Sequence, residues 1–242
     1  MTIPTPDHST PASRWRPLGP DQRRVLGVLI EKAKTTPAGY PMTVNAIVAG
    51  CNQKNNREPV TALDDTDVGN AISELITLGV VAEIDWVGRV PKYKHLAYEW
   101  LGVSKVELAV LAELLLRGAQ ALGELRGRAA RMEPIADLAV LMPIVQGLID
   151  RRLMVAITPP GRGQIVTHNL HPAHELAEVR ARFAGGGGAP SPAPAPPPRA
   201  TESPGAAPPA ERPDEIAALR AEVAALRERV RALEARLALR RD

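Results

Sequence analysis

The residues of this sequence best suited to chemistry are cations placed to bind phosphate. Arg89, Lys92 and Lys94 surround Tyr93 in a segment that the sequence predicts to be a strand and its preceding turn. Because side chains alternate along a strand, Lys92 and Lys94 share one face. Phosphate contacts use cation arrays of this kind. The alternative is a solvated edge strand, in which lysine also opposes aggregation.

Two further groups of cations are candidates for the same chemistry. Arg126, Arg128 and Arg131 fall on a predicted helix, where Arg128 and Arg131 share a face at a spacing of three. An ordinary charged surface explains them as well. The polar string from Asn52 to Arg57 predicts a structural role for Asn52, which satisfies backbone groups locally. Lys54 and Arg57 of this string are expected to be exposed and available for recognition.

Metal binding and catalysis find less support. His168, His171 and His174 are close in sequence, but Pro172 forbids a regular helix through them and Glu175 is the one acid nearby. We therefore predict no metal and no cofactor. Cys51 is expected to be a small buried residue at a helix end. Nucleophile–base sets and paired carboxylates in a recognisable context are not found in the sequence, so we expect a protein that is not an enzyme.

Charge and hydropathy narrow the class of protein. The net charge is +3 over 242 residues, yet residues 18–98 carry nine basic and nine acidic residues, and residues 99–183 carry ten and nine. Nucleic-acid binding would therefore depend on local clusters. An apolar run of about 20 residues, the length that spans a bilayer, is not found. With a single cysteine and no apolar leader, the sequence predicts a cytoplasmic protein that does not enter a membrane.

An internal repeat organises the first three quarters of the chain. Val25 and Leu29 of the first copy match Val110 and Leu114 of the second. Residues 72–76 then match 145–149, and residues 80–84 match 153–157. Such a repeat indicates two copies of one supersecondary unit. We predict domain 1 over residues 18–98 and domain 2 over residues 99–183.

Each copy predicts three helices followed by a β-hairpin. The first has helices near 21–34, 43–51 and 64–78 and strands at 80–86 and 90–95, with Thr43 and the acids from Asp64 as helix starts. The second has helices near 104–117, 121–131 and 136–151 and a hairpin that turns at 159–163. Three helices closed by a hairpin describe a winged helix. The predicted fold is mainly α with small β-hairpin wings, as two tandem winged-helix domains.

The ends of the chain differ in composition from this repeat. Residues 1–17 are rich in proline and predict a disordered N-terminus. Residues 184–213 contain four consecutive glycines at 185–188 and ten of the 24 prolines, which predicts a disordered linker.

Residues 214–242 show a heptad pattern typical of a coiled-coil helix. β-Branched residues at most a positions with leucine at d favour a parallel dimer, and three pairs of opposite charge at g and e agree with it. The alternatives are a helix that docks on its own protein and a monomeric helix rich in Ala, Arg and Glu. The predicted dimerisation residues are Ile216, Leu219, Val223, Leu226, Val230, Leu233 and Leu237.

The string from Cys51 to Val60 resembles the YceH family of uncharacterised bacterial proteins. Residues 114–120, 123–126 and 128–132 extend the similarity, as do Thr35-Thr36-Pro37, Tyr40-Pro41 and Val44-Asn45. The resemblance covers most of residues 18–170. It implies two winged-helix domains, often followed by a coiled coil, and it implies no activity. The long linker and Ala121-Leu122, where the family often has Thr-Pro, depart from the pattern.

Two functions follow as hypotheses. The first is a non-catalytic DNA-binding protein with a regulatory role, which would use the cations of the hairpins and helices. The helices near 64–78 and 136–150 lack Arg and Lys, which argues against base reading by the third helix. The alternative is a protein–protein adaptor, in which apolar helices such as 136–150 bind a partner and the heptads form a dimer.

Overall fold

The computed structural model describes residues 15–84 and 90–184. The first half contains α1, α2, α3, the strands β1 and β2, and a short α4. The second half contains α5, β3, α6, α7, β4, β5 and α8. Their bounds are α1 Pro20–Thr35, α2 Val44–Cys51, α3 Asp65–Thr77, β1 Val81–Ile84, β2 Lys92–His95, α4 Ala97–Leu101, α5 Lys105–Arg117, β3 Gln120–Ala121, α6 Leu122–Ala129, α7 Leu138–Asp150, β4 Met154–Ala156, β5 Ile165–His168 and α8 Ala173–Ala184.

This order confirms the prediction of three helices followed by an antiparallel hairpin in each half. The helix starts follow from local capping chemistry. The Asp64 carboxylate accepts from the backbone N–H groups of Thr66 and Asp67 at 2.8 and 2.9 Å, and the Asp67 carboxylate accepts from Asp64 N. Thr43 caps α2, and Ser104 with Glu107 forms the same reciprocal box on α5. These residues satisfy N–H groups that lack a partner inside the helix.

Each half contains one small antiparallel sheet. In the first, β1 pairs with β2 from Val81 opposite His95 to Ile84 opposite Lys92. In the second, β5 lies between β3 and β4. The sequence did not predict β3, whose two residues pair with Val166 and Ile165 of β5.

The two halves share one hydrophobic core. Helices α1 and α5, the first helix of each half, pack against each other, and Val25–Ile30 and Leu108–Leu116 are buried along them. A Cβ at Gly27 would lie 3.0 Å from the side chain of Leu116, so this glycine allows the two helices to approach closely. Helices buried on nearly all sides lose the clear apolar stripe of a surface helix.

Helices α4 and α8 were not predicted. The backbone N–H of Leu18 also donates to Leu170 O at 2.8 Å, which ties the segment before α1 to the segment before α8. Within the described ranges, helices long and apolar enough to cross a membrane are not found. The N-terminal residues 1–14, the turn that contains Arg89, the Gly/Pro-rich stretch from Gly185 and the heptad residues all lie outside the residues that the structure describes.

Candidate functional site

Arg57 is buried at 4% exposure, so the prediction that it is exposed is wrong. Its guanidinium makes five hydrogen bonds, the full capacity of that group. Two go to the Glu31 carboxylate, at 2.5 and 3.3 Å, and the others go to Gly50 O, Asn56 O and Gln53 Oε1. The cation is fully used inside the protein and leaves no donor for a nucleic acid.

Arg131, whose side chain is 28% exposed, extends this arrangement into an ion cluster with the buried Glu31, Arg57 and Glu113. Arg131 Nη1 pairs with Glu31, and Nη2 lies 3.1 Å from Glu113 Oε2. Each half contributes one acid from its first helix, α1 or α5, and one arginine from the segment after its second helix, α2 or α6. Arg131 therefore connects acids of both halves.

The two acids of the ion cluster differ in electrostatics. Burial alone would raise the pKa of Glu31, but hydrogen bonds from Arg57 and Arg131 hold that pKa below its ordinary value. Burial raises the pKa of Glu113, and Arg131 offsets this only in part. Glu113 Oε1 lies 3.1 Å from Arg117 Nε, yet the geometry is too poor for a hydrogen bond. Glu31 is the better satisfied of the two charges.

The other two arginines predicted near α6 also have internal partners. Arg126 Nη1 donates to the carbonyls of Ile135 and Ala136, at 3.3 and 3.0 Å, and so holds the segment before α7. Arg128 Nη1 donates to Gln120 Oε1 at 2.7 Å and lies 3.4 Å from Glu124. Because α6 ends at Ala129, Arg131 lies beyond the helix, and the expected helical face shared with Arg128 does not form.

The predicted lysines lie at the surface. Lys54 is exposed, and Lys92 and Lys94 are half-buried on either side of the buried Tyr93. This confirms that the two lysines of β2 alternate with an inward-facing residue. Arg89, the remaining cation of this group, is outside the described residues.

The polar string after α2 is a structural loop. Asn52 Oδ1 accepts from Leu63 N at 2.9 Å and from Thr61 Oγ1 at 3.1 Å, while Asn52 Nδ2 donates to Leu63 O. This confirms the structural role predicted for Asn52. Cys51 is buried, and burial raises the pKa of its thiol to about 12, as expected of a residue that packs and does not react.

His168 and His171 are packing residues, whereas His174 is exposed. His168 is buried and stacks on His171 with ring centroids 4.0 Å apart. His168 Nδ1 accepts from Leu170 N, and burial keeps the pKa of His168 well below its ordinary value. Within residues 15–84 and 90–184, groups of three His, Cys, Asp or Glu side chains able to hold a metal are not found.

Helix α7 holds three of the four large apolar side chains that are exposed on the described helices. Of its first six residues, Leu138 to Pro143, only Leu141 is buried, and none carries a polar side chain. Leu138, Val140 and Met142 are 45%, 44% and 45% exposed. Leu138 and Met142, four residues apart, share one side of α7, and Val140 lies on another side. We refer to the apolar segment Leu138–Pro143 as the α7 apolar face. The corresponding helix of the first half, α3, instead begins with exposed Asp64, Asp65 and Asp67.

Comparison with known proteins places the chain in a family. Residues 18–163 match the family described as "Protein of unknown function, DUF480". The chain belongs to the DUF480 family.

Relatives of this DUF480 protein are similar over the same part of the chain. A UPF0502 protein of Rhodopirellula baltica is 48% identical over 164 residues, which cover 68% of this chain and 69% of the relative. A UPF0502 protein of Geobacter sulfurreducens is 50% identical over 137 residues, 57% of this chain and 60% of the relative. One of Koribacter versatilis is 41% identical over 177 residues, 70% and 83% of the two chains.

The DUF480 match contains the whole ion cluster and the α7 apolar face, and it ends before β5 and α8. Sequence reasoning missed Glu31 and Glu113. The signal for them was an acid that ends or interrupts an apolar run, Leu26–Ile30 for Glu31 and Leu108–Leu116 for Glu113. A charge in such a position is buried and needs a partner.

Proposed function

We propose that this protein is a non-catalytic cytoplasmic adaptor built from two winged-helix domains, which binds a partner protein through the α7 apolar face. The winged-helix assignment is supported by the order of three helices and a hairpin in each half. The resemblance to the YceH family, whose sequences imply the same architecture, supports it as well.

The observation that carries the adaptor function is the composition of the α7 apolar face. Six large apolar side chains are exposed at 38% or more among the described residues. Three of them lie within five consecutive residues of α7, from Leu138 to Met142. Clustered exposed apolar groups mark interaction surfaces, whereas single ones are ordinary. The occupant we propose is an amphipathic helix of a partner protein, because an uncharged face is covered best by an apolar one.

The charges of the third helices favour a protein partner over a DNA groove. Helix α7 presents no cation in its first three turns, and α3 presents Asp64, Asp65 and Asp67 at its N-terminal end. Acids at that position repel phosphate. Arg57 and Arg131, two of the cations that the DNA hypothesis relied on, are held by Glu31 and Glu113.

DNA binding remains a second proposal because of the surface lysines. Lys92 and Lys94 alternate with Tyr93 on β2, and Lys54 is exposed in the loop after α2. A hairpin that contacts the phosphate backbone would need such residues and no base-reading helix. This binding would be nonspecific in sequence and sensitive to salt.

One pair of variants tests the adaptor proposal. Full-length protein is used to capture partners from a lysate, and the bound proteins are quantified against those held by Met142→Asp and by Val60→Asp. Val60 is 57% exposed and lies outside α7, so it is a matched control for an added surface charge. We expect Met142→Asp to lose a defined set of proteins by at least about tenfold, the effect of placing a charge against an apolar contact, and Val60→Asp to retain them. Equal retention by both variants would eliminate the α7 apolar face as the binding surface.

A salt series with random duplex DNA tests the second proposal. If β2 contacts phosphate, affinity should fall steeply from low to moderate salt, and Lys92→Ala with Lys94→Ala should flatten that slope by about one unit per lost contact. Absence of retardation at low salt rules DNA binding out and leaves the adaptor.

A further inference from the structure

A cavity of about 680 Å³ lies beside the contact between α1 and α5. Its walls are the start of α1, the loop at residues 58–61, the end of α5, the histidines His168 and His171, and α8. The volume falls within the range of about 300–1,000 Å³ typical of small-molecule sites. The cavity does not include the α7 apolar face or β2.

The cover of this cavity, α8, is incompletely packed. Over twelve residues it buries a single side chain, Val179. It is held by polar contacts: Glu175 pairs with Arg23 at 2.5 Å and approaches His171 Nδ1 at 3.4 Å. Buried apolar area normally holds a helix in place, so a ligand in the cavity would supply packing that α8 lacks.

The apolar part of the wall is continuous. Leu114 and Leu115 of α5 face the cavity, together with Ala119, Val179 and the chain's one phenylalanine, Phe183. Phe183 is half-buried. An aliphatic or aromatic body would remove these groups from water.

The most deeply buried charged side chains in the cavity wall are arginines. Arg24 is 5% exposed and donates to two carbonyls, Pro59 O at 2.6 Å and Cys51 O at 3.5 Å. Among the described residues, carboxylates within 4.0 Å of Arg24 are not found. Arg117 shares its one acid, Glu113, with Arg131, and that contact is poorly aligned. A desolvated guanidinium without a carboxylate gains most from an anion.

The acids in the wall do not cancel this charge. Glu175 is neutralised by Arg23. Glu58 and Glu178 are exposed, where water and salt screen them. Asp21 is half-buried at the start of α1, and burial together with Asp67 raises its pKa. Burial lowers the pKa of His168 and of His171, so both rings are neutral near neutral pH and the charge comes from the arginines.

We propose that this cavity binds a small carboxylate with an apolar body, with the carboxylate at Arg24 and Arg117 and the body against Leu115, Val179 and Phe183. Such a ligand supplies the missing acid and the missing apolar contact at once. Carboxylates on aliphatic and aromatic frames are the chemical class that fits. The α8 helix covers the bound ligand.

Titration calorimetry on the full chain tests this with octanoate and 1-naphthoate as probes. The uncharged isosteres 1-octanol and 1-naphthalenemethanol are the matched controls. We expect at least one carboxylate to bind one-to-one, and at least about tenfold more tightly than its alcohol. Equal affinity for acid and alcohol would overturn the anionic assignment, and no heat from either acid at millimolar concentration would overturn the site.

Three variants localise the binding. Ala119→Trp fills the cavity and should abolish the heat of binding, whereas Arg182→Gln, at the exposed rim, should weaken binding a few-fold. Arg180→Gln lies two residues earlier, on another side of α8, and is exposed and not in the wall, so it should bind as the parent does. Retained binding in Ala119→Trp, with circular dichroism unchanged, would place the ligand elsewhere and refute the proposal. If Ala119→Trp does not fold, the Arg182→Gln and Arg180→Gln comparison decides, because equal affinities there would refute it too.

Discussion

The Glu31 carboxylate joins the two halves through ion pairs. It is 2% exposed and receives guanidinium groups from both halves, Arg57 from the first and Arg131 from the second. Desolvation makes such a cluster a modest source of stability as a whole, but the loss of one member leaves a buried charge uncompensated. The cluster therefore favours one arrangement of the halves over alternatives.

Replacement of Arg57 by methionine should destabilise the protein. The apolar side chain removes five hydrogen bonds and leaves Glu31 with Arg131 alone, a change that typically costs about 3–5 kcal/mol. Urea unfolding of Arg57→Met and of Lys54→Met measures it. Lys54 is exposed in the same loop, so its variant should lie within about 0.5 kcal/mol of the parent. Similar midpoints for the two variants would contradict the role of Arg57.

Acid should destabilise the protein before its carboxylates titrate. Burial, with help from Lys34, lowers the pKa of His95 to about 4, and burial lowers the pKa of His168 as well. The unfolded chain binds protons at the ordinary histidine value of 6.5, so this contribution to stability is complete above pH 6.5 and is lost as pH falls toward 4.

Urea unfolding at about pH 7.5 and about pH 5 measures this loss, since the carboxylates remain largely ionised in the unfolded chain over that interval. His95→Gln should show a smaller loss than the parent. A free energy of unfolding that is equal at the two pH values would disprove the neutral, buried state of these histidines.

At the scale of elements, α2 packs on α1 through a glycine. A Cβ at Gly50 would lie 2.6 Å from Val28 Cγ1, and Val28 is fully buried and stiff because it is β-branched. Gly69, inside α3, has no neighbour within 4 Å of its Cβ position. Substitution of Gly50 therefore tests close packing, and substitution of Gly69 tests helix propensity alone.

Alanine at these two positions should have opposite effects. Gly50→Ala should lower the free energy of unfolding by about 1–2 kcal/mol, since the overpacking cost exceeds the gain in helix propensity. Gly69→Ala should raise it by about 0.5–1 kcal/mol. Thermal and urea unfolding of both variants measures the difference. Stabilisation by Gly50→Ala would show that α1 and α2 are not closely packed at Val28.

The sequence predicted the elements whose signals are local. Thr43, Asp64 and Ser104 cap their helices through neighbours two or three residues away, and the repeat aligned both hairpins. The position of Arg57 depends on Glu31, a residue 26 positions earlier on another helix, and a polar string alone does not reveal that partner. Strand β3 is two residues long and α4 is five, too short for a periodic signal.

At the scale of the whole molecule, α1 and α5 place the first helices of both repeats in one core. A charge cluster and a close helix contact at Gly27 lie along this shared region. Such a contact makes residues 18–170 one stability unit, although the sequence repeats within them. The third helices of the two repeats differ: α7 has an uncovered apolar face, and α3 begins with acidic residues. The two repeats therefore present third helices of different surface chemistry.

Self-association is the prediction that belongs to the full chain. The heptad residues from Ile216 to Leu237 lie outside the described residues, and their pattern predicts a parallel dimer. Light scattering of the full chain should give twice the mass of 25.9 kDa. Leu226→Asp, which places a charge at a d position, should give the monomer, and Ala225→Asp, at a position outside the a and d seam, should remain a dimer. If Leu226→Asp and a chain that ends near Gly185 both remain dimers, the interface lies in the repeats. The α7 apolar face is then the first surface to examine.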